Sequence, residues 1–185
     1  MDRFRSLCDL VISEHKQVLD IMEDASVRPL LETIKACSRV FVYGLGREGL
    51  AAKTFAMRLK HLGKESYWLF DDTTPAIEKG DLFFCIYGGG NNGLVNHVTE
   101  KAKAAGAIIA TFTCKPEEYI PSLADVVLYS PASCYHVANT VPTKQLMGNL
   151  FEQHAMILFD IMVMMLSEEM GISPEEMEAR HRNVE

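Results

Sequence analysis

The chain is poor in close-set cysteines, in basic charge and in uncharged apolar runs. Its five cysteines stand at 8, 37, 85, 114 and 134, too far apart for a CxxC pair. That spacing argues against a zinc site and against a disulfide framework, and leaves reduced thiols in a cytosolic core. Eighteen basic residues against 25 acidic give a formal net charge of −7 over 185 residues. Such a chain lacks the positive field that drives nucleic-acid binding, although a local basic pocket for a small anion stays open. The most apolar stretch, Leu146 to Leu166, contains Glu152, Gln153, His154 and Asp160. It therefore reads as a buried or subunit-contacting helix and not as a membrane span. The opening MDRFRSLCDL carries charges through its first turn, unlike a secretory leader, so a cytoplasmic location is expected. Internal repeats and low-complexity linkers are missing too. With 48% apolar and 23% charged residues, the composition is that of a globular domain.

What is present alternates. Residues 3 to 24 form an amphipathic helix by the spacing of Phe4, Leu7, Val11, Val18 and Met22. A second, short helix is placed at 29 to 36, starting from Pro29. This helical segment, 1–36, has no sheet of its own and is expected to pack on a partner subunit. Strands follow at Val40–Tyr43, Tyr67–Phe70, Asp81–Ile86, Ile108–Thr113 and Val126–Tyr129. Helices are placed at Arg47–Leu62, Asn91–Ala105, Pro116–Leu123 and Lys144–Met170. A last one starts at Ser173-Pro174 as N-cap and first helical position. The predicted fold is α/β, an open doubly wound sheet of five parallel strands in the order 2-1-3-4-5, forming one domain over 1–185. Ligands of such sheets bind at the carboxyl ends of the strands, where the strand order reverses.

Two glycine-rich loops flank that point. The first, Gly44-Leu45-Gly46-Arg47-Glu48-Gly49, matches GxGxxG, with Asp71 about 20 residues on, as in a dinucleotide fingerprint. The second, Tyr87-Gly88-Gly89-Gly90-Asn91-Asn92, is another nest of backbone N–H groups at a helix start. Two facing nests suit a small anionic or polyhydroxy ligand, and a nicotinamide nucleotide remains the competing reading.

Several segments resemble the sugar isomerase (SIS) domain family, and within it the 6-phospho-3-hexuloisomerases. They are Gly44-Leu45-Gly46-Arg47, Phe55-Ala56-Met57-Arg58-Leu59, His61-Leu62-Gly63, Thr74-Pro75-Ala76-Ile77, Gly80-Asp81-Leu82, Met147-Gly148, Leu150-Phe151-Glu152-Gln153, and the tail Arg180-His181 with Asn183 and Glu185. The resemblance implies a homotetramer or homodimer, no metal or redox cofactor, and a sugar or sugar phosphate as ligand. The family's loops usually read Gly-Arg-Ser-Gly and Ser-Gly-Ser-Gly-Glu-Thr. Here Glu48 replaces the first serine and the second loop has lost its hydroxyls. Each lost hydrogen bond to a charged group costs about 1.5–3 kcal/mol. A non-catalytic sugar-binding module, or an isomerase of a different and non-phosphorylated sugar, is therefore the alternative.

Ketose isomerisation through an enediol needs a base for a carbon-bound proton and groups that move protons between oxygens. A carboxylate in an apolar setting is suited to the first task. Glu152, in the most apolar helix and in the Phe-Glu-Gln match, is the expected base. His61, at a helix end in a matched segment, is expected to assist proton movement. Gly44, Gly46, Arg47, Glu48, Gly88, Gly89, Gly90, Asn91, Asn92 and, from the folded-back tail, His181 are expected to hold substrate. Thr73 and Thr74 either offer hydroxyls or cap a short helix at Pro75.

Overall fold

A computed structural model describes residues 2–184; Met1 and the tail residue Glu185 lie outside the described residues. Two helices, α1 (Arg3–Ile21) and α2 (Asp24–Ala36), precede β1 (Arg39–Gly44), α3 (Gly46–His61), β2 (Glu65–Trp68) and β3 (Leu82–Ile86). Then come α4 (Gly93–Ala104), β4 (Ile108–Thr113), α5 (Tyr119–Leu123), β5 (Val126–Tyr129), α6 (Asn149–Met170) and α7 (Pro174–Ala179). The strands form one parallel sheet in the order β2-β1-β3-β4-β5, as expected from the alternation of elements.

β1, β3 and β4 read as continuous apolar runs because both faces of the sheet are covered. Phe84 and Phe112 face α3 and α6, whose Phe55, Phe151 and Phe159 complete an aromatic cluster. Ring centroids of Phe159 lie 4.7 Å from Phe55 and 5.5 Å from both Phe84 and Phe112. On the other face Phe41, Tyr43, Phe83 and Ile109 join Val95 and Ala102 of α4 and Ile120 of α5. The helices after β1 and β3 thus lie on opposite faces, so the β1/β3 boundary is the switch point. Gly44 pairs with Ile86, which brings both glycine loops out at one level.

Several local expectations need correction, among them the start of α6, at Asn149 and not at Lys144. α2 begins at Asp24, not at Pro29, because Ser26 Oγ accepts from the Glu23 N–H at 3.4 Å and starts the helix a turn earlier. Pro29 sits inside it and simply withholds one N–H. β2 is Glu65–Trp68, two residues before the apolar run Tyr67–Phe70, because the ladder pairs Arg39–Val42 with Glu65–Trp68. Phe70 is left exposed. No helix forms at Pro75; Thr74 Oγ1 instead donates to the Trp68 carbonyl at 2.7 Å. α5 starts at Tyr119 and not at Pro116.

α1 turns Glu14, His15 and Val18 into the body of its own chain. Glu14 accepts from Thr143 Oγ1 at 2.7 Å, from the Lys144 N–H at 2.8 Å and from Gln145 Nε2 at 3.1 Å. Burial acts to raise the Glu14 carboxyl, but these three donors and His15 outweigh it and hold it below its ordinary value. His15 Nε2 meets Gln153 Oε1 at 2.9 Å, so α1 also holds the start of α6. Phe4 and Ile12 of α1 stay on the outside, as do Met156 and Met164 of α6. α6 is long and apolar enough to span a membrane, but Leu150, Phe151, Ala155, Leu158, Phe159, Met162 and Leu166 are buried in the chain's own core.

Below the sheet, Arg39 grips the buried Asp81 with Nε to Oδ1 at 2.9 Å and Nη2 to Oδ2 at 2.6 Å. The Glu78 N–H adds a third bond at 2.7 Å. Burial pushes the Asp81 carboxyl up, but Arg39 and the Glu78 N–H prevail and keep it below the ordinary carboxylate range. The stability this provides is present above the unfolded carboxylate value and is lost as pH falls through the lower folded one. Asp81→Asn should therefore cost about 1.5–3 kcal/mol at pH 7 in urea unfolding. The difference from wild type should shrink in strong acid.

Candidate active site

Glu152 is aimed by a strained turn. Met147 has φ 57° and Gly148 φ 76°, two left-handed residues in a row before α6. A Cβ on Gly148 would lie 2.3 Å from the Tyr135 backbone nitrogen. Only glycine fits there, and the turn sets the direction in which α6 begins. Gly148→Ala should destabilise the chain by about 1–3 kcal/mol, the range for backbone strain of this kind, measured by urea unfolding.

The Glu152 carboxylate lies near the positive end of α6 and pairs through Oε2 with Arg47 Nε. Arg47 comes from the first turn of α3, directly after the first glycine loop. Its neighbour Glu48 points across to the second loop, where Glu48 Oε1 accepts from the Gly88 N–H at 2.9 Å. A Cβ on Gly88 would stand 3.2 Å from that oxygen and 2.8 Å from Cys134 Sγ, so the bare backbone is what admits the carboxyl. Burial pushes the Glu48 carboxyl up to about 8; the Gly88 N–H opposes this, and the Glu152 charge adds to it. Glu48 is thus largely protonated at neutral pH.

Glu48, Glu152 and Arg47 line one cavity of about 370 Å3, with Gly46, Gly89, Tyr87, Cys134, Tyr135 and Met147 completing the wall. The Tyr87 phenol is pushed up by burial and by the Glu48 charge. In the folded chain a neutral Glu48 is favoured. Its stabilising effect is full below the ordinary carboxylate range and declines as pH rises to about 8. Glu48→Gln should therefore melt at a higher temperature than wild type at pH 9, with the gap closing toward pH 4.

The remaining predicted residues divide. Gly44, Gly46, Gly88, Gly89 and Gly90 form the two loops at the cavity's edge. Asn91 and Asn92 are engaged in starting α4: Asn92 Oδ1 accepts from the Leu94 and Val95 N–H groups, and Asn91 Oδ1 accepts from Asn96 Nδ2. His61 and His181 lie together elsewhere, with ring centroids 5.1 Å apart. They line a second cavity of about 410 Å3 with Lys53, Lys60, Asp71, Arg180 and Arg182. Burial, then His181 and Arg58, lower the His61 value and favour neutral imidazole. Within one chain, then, Glu152 and His61 occupy separate cavities. Asp71, the acid of the dinucleotide pattern, lines the histidine cavity and not the one between the loops. Sequence reasoning missed Cys134 and Tyr135. They come from the long connection between β5 and α6, which carries no periodic signal.

A parallel α/β sheet with two glycine loops and paired carboxylates at its switch point defines a small-ligand enzyme class whose chemistry suits proton transfer. Comparison makes the assignment specific. The SIS domain family model matches residues 33–152. The 3-hexulose-6-phosphate isomerase of Bacillus subtilis is 36% identical over 157 residues, 84% of this chain and 85% of that protein. The enzyme of the same name from Mycobacterium gastri is 37% identical over 164 residues, covering 89% and 82%. A Methanococcus jannaschii protein, whose crystal structure was reported to infer a 3-hexulose-6-phosphate isomerase function, superposes with TM-score 0.83 at 28% identity, over 97% of this chain and 99% of that one. The chain belongs to the SIS domain family.

Proposed function

We propose that this chain is a phosphosugar isomerase, interconverting 3-hexulose 6-phosphate and fructose 6-phosphate through an enediol. The observation that carries the reading is the Glu152 carboxylate, held by Arg47 at the wall of the cavity between the two glycine loops. Relatives named for this reaction support it. Glu152 takes the carbon-bound proton next to the carbonyl and returns it to the neighbouring carbon. The Arg47 guanidinium and the loop N–H groups orient the substrate's oxygens. The reaction moves protons within one molecule with no net oxidation, so its balance calls for no redox cofactor. His61 and His181 would serve the cavity of a neighbouring copy. The exposed Phe4, Ile12, Met156, Ile161 and Met164 support assembly as a homodimer or homotetramer. The protein would act in the cytoplasm.

Calorimetric titration tests the ligand class. Fructose 6-phosphate should bind more tightly than free fructose. A second reading rests on Glu48, whose carboxyl already occupies the Gly88 N–H and repels a dianion when ionised. It predicts equal or better binding of the unphosphorylated sugar, and that outcome would remove phosphosugar specificity.

A further inference from the structure

Enediol chemistry needs two proton transfers at oxygen as well as two at carbon, and Glu152 accounts only for carbon. The cavity holds a second carboxyl. Glu48 and Glu152 both line it, one at the start of α3 and the other at the start of α6. Their surroundings differ in a way that separates their roles. Arg47 compensates the charge of Glu152, whereas Glu48 has no cationic partner among the described residues and receives a single backbone N–H at Oε1. That bond engages Oε1 alone, and Glu48 lines the cavity. Two carboxyls with opposed environments are the arrangement in which one acts as base and the other as acid.

We propose that Glu48 is a second catalytic residue, the acid and base that serves the two substrate oxygens while Glu152 serves the two carbons. This rests on the isomerase reading above. In the forward direction Glu152 takes the proton from the carbon beside the carbonyl. The C–H electron pair becomes the enediol double bond, and the carbonyl π pair moves to oxygen, which takes the Glu48 proton. Glu48, now ionised, accepts the proton of the neighbouring hydroxyl as the new carbonyl forms there. The double-bond pair takes the proton back from Glu152. Both carboxyls end as they began, and no oxidant or reductant enters. Within one chain the groups that face Glu48 do not compete for this role, and His61 lines the other cavity. The Cys85 and Cys114 thiols are pushed up by burial, as is the Tyr87 phenol, and all three are raised further by the Glu48 charge. Cys134 completes that wall, and the Arg47 guanidinium, paired with Glu152 through Nε, stays protonated and exchanges no proton.

The test is steady-state kinetics on the full chain with fructose 6-phosphate, comparing wild type with Glu48→Gln and Glu48→Ser. Glutamine keeps an oxygen for the Gly88 N–H but transfers no proton. It should lower kcat about 10²–10⁴-fold with KM little changed. Wild-type kcat/KM should fall as pH rises through about 8, where Glu48 loses its proton, and this limb should vanish in Glu48→Gln. A kcat loss below about tenfold in Glu48→Gln overturns the assignment, since removing a general acid costs more. So does higher activity in Glu48→Ser, which would mark the carboxyl as an obstruction. Wild type that does not turn over fructose 6-phosphate removes the isomerase reading itself. An active wild type matched in turnover by Glu48→Gln removes this assignment alone.

Discussion

Glu152→Gln should lose nearly all turnover, a fall of about 10²–10⁴-fold in kcat, while the chain unfolds at an unchanged urea midpoint. The amide has the size of the carboxylate and can still accept from Arg47, so the first turn of α6 has no reason to move. What disappears is, among the described residues, the one carboxylate lining the cavity that has a cationic partner. Its loss also removes the charge that helps to raise Glu48, so the Glu48 carboxyl should titrate lower in this variant. Infrared titration of the carboxyl band would read that shift. Retained turnover in Glu152→Gln would sink the assignment of the base.

The largest effect on stability is expected at Phe159. Its ring meets Phe55, Phe84 and Phe112 at centroid distances of 4.7, 5.5 and 5.5 Å, and it is fully buried between α6, α3 and the sheet. Phe159→Ala would leave a cavity at the point where three elements meet. The expected cost is about 3–5 kcal/mol. That is a large share of the roughly 5–15 kcal/mol that holds a typical domain folded. Urea unfolding followed by circular dichroism would measure it. A loss comparable with that of an exposed methionine such as Met164 would contradict the core described here.

The sheet was legible because it is buried on both faces. Runs such as Val40–Tyr43 and Ile108–Thr113 are strands whatever their neighbours do, and the alternation with helices leaves few topologies. β2 was misplaced by two residues for the converse reason. It lies at the sheet's edge, where pairing with β1 and not apolarity decides its ends, so Phe70 belongs to the loop. Pro29 misled because proline favours a first helical turn, and the Ser26 bond that starts α2 earlier is an ordinary serine in the sequence.

The site was legible only in part. The two loops and Glu152 carried motifs, and the register of Gly44 with Ile86 brings them together. The bond from the Gly88 N–H to Glu48 joins residues 40 apart and leaves no local pattern. Cys134 and Tyr135 line the same cavity as Glu48 and come from the β5–α6 connection, which no periodicity predicts. His61 and Glu152 share a family resemblance but not a cavity in one chain, because α3 carries Arg47 at one end and His61 at the other. A helix of this length separates its ends by more than 20 Å at about 1.5 Å per residue.

The most direct test of the isomerase account is proton NMR of fructose 6-phosphate incubated with the protein in deuterium oxide. Transfer of the proton between carbons 2 and 3 through a base in contact with solvent predicts deuterium at carbon 3 of the recovered sugar phosphate, together with the signals of 3-hexulose 6-phosphate. A spectrum with every carbon-bound proton intact and no new ketose would contradict it.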